Sequence, residues 1–157
     1  LKSLIHWIQQ WESDGVTKID GIGTQMHLSY YENQGIQKSK EEHIVKMFQL
    51  MANTGKLVKI SELDMGYVNM NGDTVPTTGM SDSMHRAMAD YYNFIVRKYF
   101  EIIPPAQQYG ITQWCPTDAP GELGTGWRGG EPVGLWDRNY NRKYAYAGFA
   151  DGLRGKY

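Results

Sequence analysis

Short apolar segments alternate with longer amphipathic segments along the whole chain, and this alternation limits the folds open to it. β-Branched, aromatic and other apolar residues dominate three short segments, which predict strands over residues 19–28, 57–64 and 109–114. Apolar residues recur at helical spacing elsewhere, which predicts helices over residues 1–13, 39–52, 84–103 and 143–153. Ser39 and Glu42 form a capping-box pattern at the start of the second helix, and residues 66–80 are interpreted as a loop.

Strict alternation of helices and strands favours parallel strands joined by right-handed crossovers. Strands as apolar as these are covered by helices on the outer face of their sheet. A doubly wound sheet and a (β/α)8 barrel both satisfy this α/β pattern. A complete barrel needs about 250 residues and eight strands, whereas this chain has 157 residues. If the fold is a barrel, the chain is its last part.

Composition and motif spacing argue against several classes of partner. The net charge of -1 gives no general attraction for nucleic acid or anionic lipid, and no run of about 18 apolar residues predicts a membrane span. Gly21 and Gly23 are followed by Met26, where a dinucleotide-binding fingerprint requires glycine. The histidines lack zinc-motif spacing and Cys115 stands alone. We therefore expect no nucleic acid, membrane, metal or cofactor, and interpret the glycine-rich residues 121–134 as a flexible surface loop.

Polar side chains gather at the C-terminal ends of the predicted strands: Gln25 and His27, Glu62 and Asp64, and Trp114 followed by Asp118. In a parallel α/β fold, functional sites lie at these ends. Residues two apart in a strand point to the same face, so Glu62 and Asp64 should share a face. Taken singly, Glu62 could be a carboxylate paired with Lys or Arg, and His27 a buried histidine bonded to a carbonyl. Together they predict one cleft, because buried ionised groups are costly without a purpose.

The aromatic residues are mostly of the two types that combine a flat apolar face with a polar group. The chain has 11 Tyr and 5 Trp against 4 Phe, and sugar-binding clefts are built from such rings. Many of these rings can equally fill a core. Aromatic content alone therefore leaves both interpretations open.

The segments at the three strand ends resemble motifs of the family-10 glycoside hydrolases, which are endo-β-1,4-xylanases with a (β/α)8 barrel. Residues 20–28 resemble the sixth-strand motif of that family, and residues 60–64 resemble the seventh-strand motif, which contains the nucleophile. Residues 111–114, 127–128, 134–137 and 140–146 resemble the eighth-strand region. The resemblance covers essentially the whole chain, and it implies strands six to eight of a TIM barrel with their flanking helices.

By position, the resemblance implies that Glu62 is the nucleophile, that His27 hydrogen-bonds it and that Asp64 orients His27. It also implies that the residues lining the substrate subsites are Gln25, Trp114 and Trp127. A retaining glycosidase needs a second carboxyl group, about 5 to 5.5 Å from the nucleophile, to protonate the leaving oxygen. The fourth-strand Asn-Glu motif that supplies this group in the family has no counterpart among these residues.

The sequence therefore predicts that residues 1–157 are the C-terminal part of one catalytic domain, that of a retaining endo-β-1,4-xylanase acting on xylan or xylooligosaccharides. We expect a complementing N-terminal segment, as a separate chain, and secretion or a periplasmic or cell-surface location because the substrate is a polymer. One alternative is a noncatalytic carbohydrate-binding protein. Another is a related barrel glycosidase acting on a different β-linked glycan.

Overall fold

Three parallel strands form one sheet in the order β1-β2-β3 in the computed structural model, which describes residues 1–118 and 127–156. The strands are β1 (Gly21–Tyr31), β2 (Leu57–Val68) and β3 (Gln108–Gln113), and the helices are α1 (Lys2–Glu12), α2 (Gln34–Ala52), α3 (Asp82–Ile102) and α4 (Tyr144–Leu153). Turns of 3₁₀ helix cover Thr77–Gly79, Pro105–Gln107 and Trp127–Gly130. The predicted α/β class with parallel strands is confirmed. No helix in this described part is long and apolar enough to cross a membrane.

The core is built on the central strand β2. Its side chains Val58, Ile60 and Leu63 are completely buried, and they belong to one apolar cluster with Phe48 of α2 and Tyr99 of α3. The Tyr99 hydroxyl donates a hydrogen bond to the carbonyl oxygen of Val58 at 2.7 Å. Truncating a buried residue such as Ile60 to alanine typically costs about 2 to 5 kcal/mol. This packing fixes the β2 backbone on either side of Glu62.

An irregularity in β2 decides which face of the sheet Glu62 occupies. Thr24 pairs with Ile60 but Gln25 pairs with Glu62, so Ser61 is an extra residue on β2. Such a β-bulge shifts the alternation of side chains by one position. The hydroxyl of Ser61 donates to the carbonyl oxygen of Thr24 at 3.1 Å and holds the bulge. Glu62 consequently faces the same side of the sheet as Gln25.

The second helix begins five residues earlier than the capping-box pattern at Ser39 predicts, so that prediction is wrong. Asn33 is the cap of α2, and its side-chain oxygen accepts hydrogen bonds from the backbone N–H groups of Gly35 at 3.0 Å and Ile36 at 3.2 Å. An asparagine cap satisfies backbone donors that the first turn leaves unpaired. The earlier start also adds a turn of helix, which places Ser39 inside α2.

Strands β1 and β2 continue beyond the predicted ends, to Tyr31 and Val68. Tyr30 and Tyr67 are partners in register, and their rings stack with centroids 5.4 Å apart. Aromatic cross-strand pairs stabilise a sheet, which explains the extension. Gln25, His27, Glu62 and Asp64 therefore lie near the middle of β1 and β2 rather than at their ends, and the loop after β2 begins after residue 68.

The glycine-rich stretch predicted to be a flexible surface loop is described from Trp127 onward. Val133 and Gly134 are buried there. A side chain at Gly134 would collide with the backbone of Thr117, so only glycine permits this close approach. The prediction of a surface loop is wrong for this packed part, and residues 119–126 lie outside the described residues.

Candidate active site

Four polar side chains from neighbouring strands meet on one face of the sheet. Gln25 and His27 of β1 lie opposite Glu62 and Asp64 of β2 in the strand register. The bulge at Ser61 and the pleat together direct both carboxylates toward β1. The structure therefore brings together the four residues that the strand pattern and the family motifs single out.

Both oxygens of the Glu62 carboxylate accept or share hydrogen bonds with β1. The side-chain amide of Gln25 donates to Oε1 at 2.9 Å, and Nε2 of His27 lies 3.0 Å from Oε2. The Glu62 side chain is 21% exposed, so it is oriented by its neighbours yet open on one side. An oriented, accessible carboxylate is suited to act as a nucleophile or a base.

His27 lies between two carboxylates. Its Nδ1 is 3.0 Å from Oδ2 of Asp64, and its Nε2 faces Glu62. A neutral imidazole has one N–H donor, whereas two ionised carboxylates offer only acceptors. When both Glu62 and Asp64 are ionised, His27 therefore has to be doubly protonated to satisfy both contacts. His27 thus bridges Glu62 and Asp64.

Asp64 is fully buried, and an arginine distant in sequence compensates its charge. Nη1 of Arg128 donates to Oδ1 of Asp64 at 2.9 Å and to the carbonyl oxygen of Leu28 at 2.6 Å. Its Nη2 donates to the Ser29 hydroxyl at 2.8 Å and to Oε2 of Glu131 at 3.0 Å. Sequence reasoning assigned Arg128 no role. The available signal was chemical: a carboxylate expected to be buried requires a positive partner.

Arg128 is held in this place at a conformational cost. Its φ of 54° is in the left-handed region, which costs an L-residue about 1 to 2 kcal/mol. Its four hydrogen bonds to surrounding groups offset that cost. Glu131 is the other carboxylate on Arg128, and burial raises the pKa of its carboxyl group against the attraction of the guanidinium.

Two tryptophans form a wall beside this polar cluster. The ring of Trp127 is 4.9 Å from that of His27, and the ring of Trp114 is 6.0 Å from it, both edge to face. The indole N–H of Trp127 donates to Oδ2 of Asp64 at 2.6 Å. Trp114 and Trp127 remain 46% and 43% exposed. Exposed aromatic faces next to an accessible carboxylate can hold a sugar ring by apolar contact.

Asp118, the polar residue expected at the third strand end, lies outside this cluster. It is buried and accepts hydrogen bonds from the Thr77 hydroxyl, the Gly134 backbone N–H and the Lys143 ammonium group. Within residues 1–118 and 127–156, no group of three His, Cys, Asp or Glu residues is arranged to hold a metal ion.

Comparison with known proteins identifies the family of the chain. The family model of glycosyl hydrolase family 10 matches residues 1–152. The endo-beta-1,4-xylanase Xyn10C of Cellvibrio japonicus is 32% identical in an alignment 146 positions long that covers 87% of this chain and 23% of that xylanase.

Solved structures of xylanases also match the chain. The native xylanase 10C from Cellvibrio japonicus matches with a TM-score of 0.78 and 26% identity, over 99% of this chain and 33% of that one. A mutant of the same xylanase in complex with xylopentaose also matches with a TM-score of 0.78 and 26% identity, over 99% of this chain and 31% of that one. The chain thus spans about a quarter to a third of these relatives.

Proposed function

The chain belongs to glycosyl hydrolase family 10, and on that premise we propose that it supplies the nucleophile part of a retaining endo-β-1,4-xylanase. The observation that supports this most directly is the carboxylate of Glu62. It is held at both oxygens by Gln25 and His27 and lies in a cleft beside exposed indole rings. Members of the family have a (β/α)8 barrel, and the three strands described here correspond in this proposal to strands six to eight.

In the proposed reaction, a carboxylate oxygen of Glu62 attacks the anomeric carbon of a β-linked xylose unit. A new bond forms between that carbon and Glu62 while the glycosidic bond breaks, and a second carboxyl group protonates the leaving oxygen. Water then attacks the glycosyl-enzyme, gives its proton to the second group and releases Glu62. Two inversions at the anomeric carbon give net retention.

The neighbouring residues keep Glu62 ready for the attack. Nε2 of His27 contacts Oε2 of Glu62, and Asp64 holds the opposite nitrogen of the same ring. Arg128 compensates the buried charge of Asp64, which holds the ring of His27 in place. Preorganised charges of this kind lower the barrier because they need no rearrangement during the reaction.

Three residues are proposed to line the substrate subsites beside the cleaved bond: Gln25, Trp114 and Trp127. The two indole rings lie at 62° to each other with centroids 6.3 Å apart. They can therefore contact a xylose unit from two directions. Gln25 bonds Glu62 here, and its amide can also donate to a sugar hydroxyl.

We further propose that a complementing N-terminal segment completes the barrel and contributes the acid/base carboxyl group. Among the described strands, β1 pairs only with β2, so its other edge has free backbone groups. Helix α1 also presents large apolar side chains to solvent at Leu4, Trp7 and Trp11. An exposed strand edge beside an exposed apolar face is a surface that further strands and helices of a barrel can cover.

A polymeric substrate also implies where the enzyme works. Xylan cannot enter a cell intact, so we propose that the complete protein is secreted or lies in the periplasm or at the cell surface. Fractionation of a culture of the source organism, followed by immunodetection, tests this point. Recovery only from the cytoplasm would contradict it.

The experiment that tests the proposed function follows the anomeric form of the first product. The complete enzyme is incubated with xylopentaose, and proton NMR should show the β-anomer of the new reducing end before mutarotation. Cellopentaose should be cleaved much more slowly. Appearance of the α-anomer first would contradict the retaining mechanism. Faster cleavage of cellopentaose would indicate a different glycan, and binding without cleavage would indicate a carbohydrate-binding protein.

A further inference from the structure

A second cavity lies apart from Glu62, at the same end of the sheet. Its volume is about 590 Å³, and it lies between the Thr77–Gly79 turn, the first turn of α3 and the segment before α4. These segments follow the C-terminal ends of β2 and β3. We call this space the arginine cavity and define it by its side chains Thr77, His85, Arg138, Arg142 and Lys143. None of them is among the hydrogen-bond partners that the described residues provide to the side chains of Glu62, His27 and Asp64.

The floor of the arginine cavity is a buried ion pair. Nζ of Lys143 lies 2.6 Å from Oδ1 of Asp118, and their side chains are only 6% and 1% exposed. The hydroxyl of Thr77 donates to Oδ2 of Asp118 at 2.5 Å, and the backbone N–H of Gly134 donates to Oδ1 at 2.9 Å. Asp118 is therefore fully engaged, and its negative charge is compensated within the floor.

The rim carries the positive charges of Arg138 and Arg142, which are not paired with the carboxylate of the floor. The guanidinium of Arg142 lies over the Tyr146 ring, 4.6 Å from its centroid, which holds one face of the group and leaves its N–H edges available. Arg138 makes no hydrogen bond or ion pair with the described residues. The nearby carboxylate of Asp137 already accepts three hydrogen bonds from Asn139 and Asn141.

His85 adds an uncharged polar group to the rim. Burial and the charge of Lys143 lower the pKa of its imidazole, so at neutral pH the ring offers one donor and one acceptor. Thr78 and Tyr144 also line the space. Two guanidinium groups, an imidazole and several hydroxyls are a set that suits a ligand with one carboxylate and several hydroxyl groups.

We propose that the arginine cavity binds the carboxylate of a uronic acid unit carried as a substituent on the polysaccharide. The planar guanidinium groups of Arg138 and Arg142 match a carboxylate in a way that a neutral sugar cannot use. The volume is within the range of small-molecule sites and accommodates one or two sugar units. This proposal rests on the proposed function, because a polymer acted on at Glu62 brings its substituents to the same end of the sheet.

The first experiment measures binding of a free uronate, which does not depend on xylanase activity. The complete enzyme is titrated with sodium D-glucuronate and with D-glucose, with binding followed by saturation-transfer NMR. Glucuronate should bind and glucose should bind at least fivefold more weakly. The R138Q/R142Q double variant should lose at least four fifths of the glucuronate affinity. The R154Q variant removes one positive charge at the opposite end of α4 and should bind like the unmodified enzyme.

The second experiment asks whether the uronate is part of the polysaccharide. Initial rates are compared on xylopentaose and on a xylooligosaccharide of equal length that carries one glucuronic acid unit. The R138Q/R142Q variant should have a severalfold higher KM for the acidic substrate and unchanged kinetics on xylopentaose. If xylopentaose is not cleaved at all, the proposed function fails while the glucuronate titration still decides the cavity's ligand.

Three results would overturn the inference. One is equal binding of glucuronate and glucose, and another is equal glucuronate affinity in the double variant and R154Q. The third is competition by inorganic phosphate at the same concentration as glucuronate, which would indicate a general anion site rather than a sugar site.

Discussion

Nε2 of His27 lies 3.0 Å from Oε2 of Glu62, so a residue on β1 orients the carboxylate proposed to act as the nucleophile on β2. The contact depends on the β-bulge at Ser61, since Gln25 and Glu62 become partners only after the register shift. The geometry of the proposed nucleophile is therefore set by the sheet itself rather than by a loop. Sites on rigid elements hold their groups more precisely than sites on loops.

Replacing His27 with alanine in the complete enzyme should lower kcat about 10- to 100-fold on xylopentaose. The change removes the group that positions Oε2 of Glu62, and a misplaced reacting group loses about this much rate. KM should change little, because His27 is bonded to two carboxylates. H43A removes an exposed histidine of α2 and is the matched control. An unchanged kcat in H27A would remove His27 from the proposed mechanism.

Replacing Arg128 with alanine should lower the free energy of unfolding by about 3 kcal/mol, because Asp64 is then a buried carboxylate without its cation. The R128K variant keeps the charge but not the planar fork. It should recover part of the stability and less of the activity, since a single ammonium cannot reproduce the contacts with Leu28, Ser29 and Asp64. Denaturant unfolding and kcat measure the two effects. Equal stability of R128A and the unmodified enzyme would contradict the assigned role.

Replacing Trp114 with alanine should raise KM for xylooligosaccharides roughly tenfold and change the melting temperature little. Trp114 is 46% exposed, so nearly half of its surface is available to a ligand rather than used in packing. F100A removes an aromatic ring of similar exposure, 41%, near the C-terminal end of α3 and serves as the control. A fall in melting temperature with unchanged KM would show that Trp114 only packs the mouth of the cleft.

Replacing Tyr92 with phenylalanine should make the protein more resistant to alkaline unfolding. Complete burial raises the pKa of Tyr92 far above its ordinary value, so the folded state keeps the phenolic proton that the unfolded state releases above about pH 10. The unfolded state then binds fewer protons, and stability falls by about 1.4 kcal/mol per pH unit for this group. Y92F should remove that slope, measured by denaturant unfolding between pH 9 and 11.5.

The hydroxyl of Tyr92 accepts a hydrogen bond from Gln113 at 3.3 Å, so a small loss of stability at neutral pH accompanies the substitution. Y140F is the control, because Tyr140 is 78% exposed. Identical pH slopes in Y92F and the unmodified protein would contradict the attribution to burial.

The elements of the fold could be predicted where local signals and packing agree. The long helix α3 has apolar residues at helical spacing and Pro104 after its end, and its predicted bounds agree with the structure to within two residues. The start of α2 could not be predicted, because Asn33 and Ser39 are both acceptable caps and only the tertiary structure shows which one is used. The extension of β1 and β2 depends on the Tyr30 and Tyr67 contact across strands, which a single segment does not reveal.

The candidate site likewise has residues that local spacing predicts and one that it does not. The spacing of Gln25 and His27, and of Glu62 and Asp64, predicts which side chains share a face, and the structure brings all of them together. Arg128 escaped prediction because it is 64 residues from Asp64 along the chain. Long-range charge pairing of this kind has no local sequence pattern. Only the expected burial of Asp64 indicates that a cation lies near it.

The most direct test of the account is the replacement of Glu62 with alanine in the complete enzyme. We expect xylan hydrolysis to fall below about a thousandth of its normal rate with an unchanged fold by circular dichroism, because only the attacking group is lost. E42A, which removes an exposed glutamate of α2, should be fully active. Added azide should restore cleavage of an activated aryl β-xyloside by E62A and yield a glycosyl azide of inverted configuration. Retention of more than a few per cent of xylan hydrolysis by E62A would contradict the claim that Glu62 is the nucleophile.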